Sequence, residues 1–379
     1  MLQMFSKHEP KMPAGATSEK NCHNLTGFNS FVVEEAFEKF VLPVAGTRPQ
    51  AAAQYFLAGL KWAHQGTCTR QMDANLGMTD TTFRARVYPL FKELARTMDI
   101  VKWSDRLHPL NHTANFPYYV TSVVDTAPIA VSESCSPEFS RLLYAPKYGM
   151  TCLKLEVTCS MMGHIVDFKF PAGLGTVNDN QIHNRRVAAG EKQYLPWEFS
   201  LGDGAYRQCP HILAKYPANT NYLYDPHTGK RDVEIPLHPF QQIHNERLNH
   251  DRQRIEHIVG LINKKHKLFQ CKWQGEYGPL IDMVNVVCQL TQLQIARASK
   301  NGTVRNGFSR YNDVIGPWRH DEPNHVHLPH FLCESLCLYA HIINKPVVVV
   351  CCGVWRVAYR LRLRLRPAQA PPLAPMCGD

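Results

Sequence analysis

Leu153-Lys-Leu-Glu-Val-Thr-Cys-Ser-Met-Met-Gly-His-Ile-Val-Asp-Phe-Lys-Phe170 decides the fold of this chain. Two runs within it, Leu153–Cys159 and Ile165–Phe170, are rich in Val, Ile, Phe or Thr, which is typical of β-strands. The segment between them, Met161–His164, contains a glycine and fits a hairpin loop. The stretch therefore predicts two strands joined by a short loop.

The same composition recurs on both sides of this hairpin. It predicts a strand at Tyr119–Val124 and a short strand at Glu198–Leu201, which ends at Gly202. A Pro- and His-rich insertion follows, and a helical pattern then covers Asn245–Lys267. Several strands followed by a long helix predict an α/β domain over residues 113–300, built as a mixed sheet with flanking helices.

The chain before this domain predicts a small all-α domain over residues 46–112. A short helix is expected at Gln71–Leu76, Gly77 forms the turn, and Thr79 caps a longer helix. Two helices joined by a Gly-containing turn have the outline of a helix-turn-helix, although an ordinary helical pair fits the same pattern. The residues that would face DNA are Thr81, Thr82, Arg84 and Arg86.

Both ends of the chain carry fewer signals. Residues 1–45 predict a loose arm with one short helix at Phe31–Phe40, and residues 301–379 stay unassigned. Arg360–Arg366 alternates Arg with Leu before a Pro-rich tail, which fits a phosphate-binding segment, a nuclear-import patch or a shifted reading frame. A cluster of zinc-type side chains precedes it: His320, His325, His327, His330, Cys333 and Cys337. Their spacing matches no paired zinc-finger pattern and favours buried thiols and a His-rich loop over zinc.

The bulk composition points to a polyanionic partner. The formal net charge is +10, and Lys and Arg that neutralise phosphates gain affinity by releasing counterions. The chain has 13 cysteines, but Met1–Gly15 does not resemble a signal peptide, so we expect a reducing environment. The apolar stretch Pro346–Val354 is much shorter than the roughly 20 residues that a membrane-spanning helix needs, so no membrane partner is expected.

Three acids stand where strand or helix patterns expose them. Asp125 comes just after the first strand, Asp203 follows the short strand 78 residues later, and Glu256 lies in the long helix. Mg²⁺ prefers hard oxygen ligands, and clustered carboxylates are costly unless cations share their site. Two metal ions held in this way activate an attacking water and stabilise a leaving oxygen. Acids at such positions are common, so the flanking residues have to decide whether these three acids share one site.

The flanking segments resemble the DDE transposases of the Harbinger and insertion-sequence type and their host-domesticated relatives, over roughly residues 50–270. The matching segments follow the family order. They are Val123-Val-Asp-Thr-Ala-Pro-Ile129, Tyr144-Ala-Pro-Lys-Tyr-Gly149, Gly163-His-Ile-Val-Asp167, Gly175-Thr-Val-Asn-Asp179, Leu201-Gly-Asp-Gly-Ala-Tyr206 and Ile255-Glu-His-Ile-Val-Gly260. The chain departs from the family at Thr126-Ala-Pro128, where a Gly-Thr pair is usual, and at Asn263, where a Lys is expected.

The resemblance implies an RNase H-like fold with Asp125, Asp203 and Glu256 as the catalytic, metal-binding acids. Their cofactors would be two Mg²⁺ or Mn²⁺ ions, and Asp179 would be a supporting, structural acid. Arg252 lies one helical turn before Glu256. It would pair with the Glu256 carboxylate in the metal-free state, approach a DNA phosphate, or form a solvated surface ion pair.

The function implied is that of a metal-dependent DNA endonuclease or transposase, with DNA as its partner and the nucleus as its location. Cutting at paired ends makes a homodimer plausible. The departures at Thr126–Pro128 and Asn263 support a rival interpretation, in which an inherited transposase fold binds DNA or recruits a partner without cutting.

Overall fold

The computed structural model describes residues 18–66, 78–108, 111, 113, 115–116, 118, 119–134, 136–216, 220–224, 231–300, 348–351 and 354–357. Several expectations lie outside these residues: the short helix Gln71–Leu76, the His/Cys cluster at 320–337 and the alternating segment Arg360–Arg366. No helix of the described residues is long and apolar enough to cross a membrane.

The helices alternate with strands in the middle of the chain and flank them on both sides. The α-helices are α1 (Ser18–Thr26), α2 (Ser30–Ala36), α3 (Pro49–Gln65), α4 (Asp80–Thr97), α5 (Pro137–Leu143), α6 (Asp179–Ala188), α7 (Pro239–Lys265) and α8 (Tyr277–Lys300). A π-helical turn, Phe37–Val41, and an α-helical turn, Leu42–Val44, extend α2. Short 3₁₀ segments lie at Trp103–Leu107, Gly204–Tyr206 and Lys267–Phe269.

Among the described residues, ten strands form one large sheet and two separate hairpins. They are β1 (Tyr119–Ala130), β2 (Tyr144–Ala145), β3 (Met150–Ser160), β4 (Ile165–Leu174), β5 (Glu198–Gly202), β6 (Ile212–Ala214), β7 (Thr220–Tyr224), β8 (Arg231–Pro236), β9 (Val348–Cys351) and β10 (Val354–Val357). β7 pairs with β8 and β9 with β10, each antiparallel. The β9–β10 hairpin belongs to a separate compact unit of the chain.

The large sheet is mixed and has β1 at its centre. β3 runs antiparallel to β1, to β4 and to β2, whereas β5 runs parallel to β1, and β6 parallel to β5. Parallel pairing ends where Val123 faces Leu201, and β1 beyond that point pairs only with β3. A mixed sheet with flanking helices is what the sequence predicts, and it is compatible with the fold of a DDE nuclease.

The helices before the sheet share its hydrophobic core. Buried side chains of α2, α3 and α4 belong to one cluster with those of β1, β3, α7 and α8. Close packing of α3 on α4 depends on Gly59, because a Cβ atom there would lie 2.1 Å from the ring of Phe91. Residues 18–44, expected as a loose arm with one short helix, form α1, α2 and its extension, with Val32 and Val33 buried.

Two long helices that follow the large sheet in sequence, α7 and α8, pack on it. α7 packs across β1, β3 and β5, and α8 packs against β4 and α4. The side chain of Gln292 accepts a hydrogen bond from the backbone N–H of Ile165 at 2.6 Å, and Gln289 accepts from Ile100 and Val101. α8 therefore ties the sheet to the helical segment before it, while α7 brings its polar residues over the centre of the sheet.

Candidate active site

Asp125 and Asp203 lie at the place where two parallel strands separate. Val123 in β1 faces Leu201 in β5, and each aspartate comes two residues after one of these partners. Side chains alternate along a strand, so each aspartate follows the face of its paired residue. The sequence predicts Asp125 just after a strand that ends at Val124. The structure places it within β1, which continues to Ala130.

Backbone hydrogen bonds hold both carboxylates. Oδ1 of Asp125 accepts the N–H of Thr126 at 2.8 Å, and Oδ1 of Asp203 accepts the N–H of Ala205 at 2.9 Å. The hydroxyls of Thr126 and Tyr206 are hydrogen-bonded to each other at 2.6 Å. This side-chain bond joins the segments that carry the two acids, so their relative position does not depend on the strand pairing alone.

The backbone before Asp203 has no room for a side chain. A Cβ atom at Gly202 would lie 2.8 Å from Cγ2 of Ile212 and 3.0 Å from Cβ of Tyr206. Tyr206 itself is fully buried in a small cluster with Val124, Cys209 and Ile212. Glycine at position 202 therefore lets the chain turn tightly over this cluster and present Asp203.

The site has an excess of negative charge in a poorly hydrated place. The pKa of Asp125 is raised to about 6, mainly by burial and also by the charges of Asp203 and Asp179, whereas Arg252 and the N–H of Thr126 oppose the shift. A carboxylate in this setting gains from any additional cation that enters. The electrostatics therefore favour cation binding at Asp125 and Asp203.

Arg252 is the cation that contacts Asp125. Its Nη2 lies 3.2 Å from Oδ2 of Asp125, and its side chain is only 12% exposed. Its buried Nε has no hydrogen-bond partner among the described residues. Arg252 thus pairs with Asp125 and not with Glu256, which lies one helical turn further along α7.

Glu256 is not gathered with the two aspartates. Its side chain is exposed on α7. Among the described residues no group of three His, Cys, Asp or Glu side chains is placed to hold a metal ion. The structure therefore brings together two of the three predicted acids.

Asp179 stands beside this pair but is already neutralised. It is buried at the start of α6, where Asn178 forms a capping box with Gln181. Nζ of Lys154, from β3, lies 2.8 Å from Oδ1 of Asp179. Nζ of Lys147 lies 3.7 Å from the other oxygen.

Asp125 and Asp203 suit a divalent cation by donor chemistry. Both offer carboxylate oxygens, the ligand type that Mg²⁺ and Mn²⁺ prefer, and their charges are only partly balanced. Each also uses one oxygen to accept a backbone N–H, which fixes its direction. The pair thus fits a metal ion by its donor chemistry.

Comparison with known proteins identifies the region that holds these residues. Residues 124–292 match the family model described as DDE superfamily endonuclease. This region is that of a DDE-type, transposase-like protein. No curated protein and no solved structure matches the chain. The family resemblance inferred from the motifs is confirmed, and all three predicted acids lie inside the matched region. At this coarse level the family supports a nuclease-type enzyme with DNA as its partner.

The DDE-type region contains site residues that the motifs did not single out. Thr126 and Tyr206 are joined by a hydrogen bond, and Lys147 and Lys154 both reach Asp179. Each is inside a quoted motif or strand, but its partner is distant in sequence. Thr126, a departure from the family pattern, therefore has a structural partner in this chain.

The four residues predicted to face DNA lie on the exposed face of α4. Thr81, Thr82, Arg84 and Arg86 are all exposed in the first turns of α4. Thr79 caps this helix as predicted, because its side chain accepts the N–H of Thr82. The preceding helix of the predicted helix-turn-helix lies outside the described residues, so the DNA-facing role of these residues stays a prediction.

Proposed function

We propose that this chain cleaves DNA phosphodiester bonds with divalent metal ions, Mg²⁺ or Mn²⁺, held by Asp125 and Asp203 and completed by Glu256. One observation carries the proposal. Asp125 and Asp203 each come two residues after the last parallel pair of β1 and β5, Val123 and Leu201, and the match to the endonuclease family covers both. The mixed sheet, with the first acid on its central strand, supports an RNase H-like fold.

The side chains of the site have distinct tasks in this proposal. Asp125 and Asp203 each have one oxygen fixed by a backbone N–H group, so the direction of each carboxylate is defined before any ion arrives. Arg252 partly balances the charge of Asp125 until an ion arrives. When bound, the metal ions would supply an activated water and stabilise the departing 3′ oxygen. A DNA 3′-hydroxyl attacking in place of water would give strand transfer.

Glu256 is the acid whose role depends on movement. It lies on the same helix as Arg252, one turn further on, and its exposed carboxylate is free to approach the pair. We infer that Glu256 would join Asp125 and Asp203 in holding a metal ion once Arg252 had left its place beside Asp125.

One observation favours the rival function, a protein that binds DNA without cutting. The described residues contain no preformed group of three metal-binding side chains, and Arg252 pairs with Oδ2 of Asp125. DNA binding through Lys and Arg side chains needs neither metal nor acids, so the two functions separate cleanly in one assay.

The test is nicking of a supercoiled plasmid by the full chain in Mg²⁺ or Mn²⁺, beside Asp203→Asn and an EDTA control. Loss of a metal-liganding carboxylate removes several kcal/mol of transition-state stabilisation, so we expect cleavage to fall by at least about a thousandfold. Asp99→Asn is the matched control, because Asp99 is 77% exposed and remote from the site. Equal nicking by wild type and Asp203→Asn would overturn the proposal. DNA binding without nicking by any protein would establish the rival.

A further inference from the structure

The turn between β2 and β3 places an exposed lysine, Lys147, beside Asp125 and Asp203. We call these two aspartates the acid pair. Lys147 is 59% exposed, and its Nζ lies 3.7 Å from Oδ2 of Asp179. The same ammonium lies 5.3 Å from the ring centre of Tyr148. The side chain is therefore held near the site while most of it faces solvent.

Folding does not require Lys147 as a counterion. Asp179 is buried and already paired with Lys154, whose Nζ is 2.8 Å from Oδ1 and is itself only 7% exposed. Lys154 also donates to the backbone carbonyl of Val177 at 2.6 Å. The buried pair satisfies Asp179, so the positive charge of Lys147 is in surplus.

The turn that carries Lys147 is fixed to the rest of the domain. The N–H groups of Tyr148 and Gly149 both donate to the carbonyl of Ala145. Thr176 donates its N–H and its hydroxyl to the carbonyl of Leu142, just before β2. A Cβ atom at Gly175 would lie 1.9 Å from the carbonyl oxygen of Leu143, so the two segments are in direct contact.

The charges around Lys147 keep it protonated. Burial lowers the pKa of Lys147, but the charges of Tyr148, Asp179 and Asp203 raise it above its ordinary value. Lys147 is thus a permanent cation within electrostatic reach of Asp203. DNA that approaches two aspartates meets repulsion, and a fixed cation next to them offsets it.

We propose that Lys147 binds a phosphate of the DNA strand beside the scissile phosphate, on the Asp203 side of the site, and so positions that strand. The inference rests on the proposed nuclease function and adds a substrate-binding residue to it. An ammonium on a flexible stem is a point charge that suits a single phosphate, and its exposure leaves it accessible.

The test compares duplex binding by the full chain as wild type, Lys147→Ala and Lys147→Arg, with fluorescence anisotropy in EDTA over a range of salt. Lys169→Ala is the matched control, because Lys169 is 46% exposed and paired at 3.0 Å with Glu191, away from the acids. One lost phosphate contact should lower the salt slope by about 0.9 and weaken binding about eightfold at roughly 0.1 M salt. Lys147→Arg should restore binding, and Lys169→Ala should equal wild type.

The outcomes separate this inference from the proposed function. In cleavage, Lys147→Ala should raise KM with little change in kcat, and its melting temperature should equal that of wild type. A wild-type salt slope in Lys147→Ala, with wild type binding and cutting, would refute the role of Lys147 alone. No duplex binding by wild type would refute both proposals. Binding without cutting would refute the nuclease but leave the phosphate contact supported by the slope.

Discussion

Two groups of acids lie side by side in the sheet and differ in how their charges are balanced. In the acid pair, Asp125 has one weak ion pair and Asp203 has no ion pair among the described residues. In the neighbouring buried ion cluster, each acid meets several cations. We define that cluster as Glu156, Asp167, His183, Arg186 and Lys192. Glu156 pairs across the strands with Thr126, the residue after Asp125.

The pKa values of the two groups shift in opposite directions. Burial alone would raise the pKa of Glu156, but Lys192, His183 and Arg186 together lower it far below its ordinary value. Burial raises the pKa of Asp125 to about 6, since Arg252 balances it only in part. Fully paired acids belong to the folded structure, whereas under-balanced acids are poised for an added cation. The comparison therefore predicts that Glu156 and Asp167 stabilise the fold and that Asp125 and Asp203 serve the proposed function.

The largest loss of stability is expected in the buried ion cluster, where cations balance the charges of the acids. Glu156→Gln leaves Lys192 buried without its closest anion and weakens the contact that Arg186 makes at 3.1 Å. Breaking a buried ion pair costs about 3 to 5 kcal/mol, so we expect the free energy of unfolding to fall by that amount in a urea titration.

The control for this variant is Glu191→Gln. Glu191 also pairs with Arg186, at 2.9 Å, but it is 36% exposed. Exposed ion pairs contribute about 0 to 1 kcal/mol, so Glu191→Gln should unfold almost as wild type does. Similar losses in the two variants would contradict the claim that the cluster is a structural unit.

An intermediate loss of stability is expected when the hydrogen bond between Thr126 and Tyr206 is removed. This bond joins the segments that carry Asp125 and Asp203. Tyr206→Phe removes the hydroxyl that bonds Thr126 and leaves the Thr126 hydroxyl buried. An unsatisfied buried polar group costs about 1 to 3 kcal/mol, and nicking should also slow because the acids lose a shared anchor. Adding Thr126→Val should recover part of the stability but not the nicking rate. If the two single changes add without coupling, the bond does not join the segments.

The strand pattern of the site was largely predictable, but its boundaries were not. β3, β4 and β5 lie where Val, Ile, Phe and Thr are frequent, and they run slightly beyond the predicted bounds. β1 continues through Pro128, which a strand paired on both sides would exclude. Beyond Val123 the strand has a partner on one side only, so the proline is tolerated. That loss of pairing is a property of the fold and leaves no local mark in the sequence.

The sequence also did not predict which side chains contact each other across the fold. Helical spacing pairs Arg252 with Glu256, yet α7 lies across β1 and turns Arg252 toward Asp125 instead. Lys147 and Lys154 meet at Asp179 only because the β2–β3 turn and the start of α6 are adjacent in space. The sequence motifs predicted the acids, since each acid stands in a short local motif. The balancing cations depend on tertiary contacts, which no local pattern encodes.

The smallest stability effect is expected at Asp203, one of the acids proposed to hold the metal ions. Asp203→Asn keeps an oxygen that accepts the N–H of Ala205 and removes a charge that repels Asp125. We expect the free energy of unfolding in EDTA to stay within about 1 kcal/mol of wild type, on the stabilising side. Mg²⁺ should raise the melting temperature of wild type, because a ligand that binds the folded state stabilises it, and should raise that of Asp203→Asn much less. A loss of more than about 2 kcal/mol in the variant would place Asp203 with the structural acids, and an equal response to Mg²⁺ would remove it from the metal site.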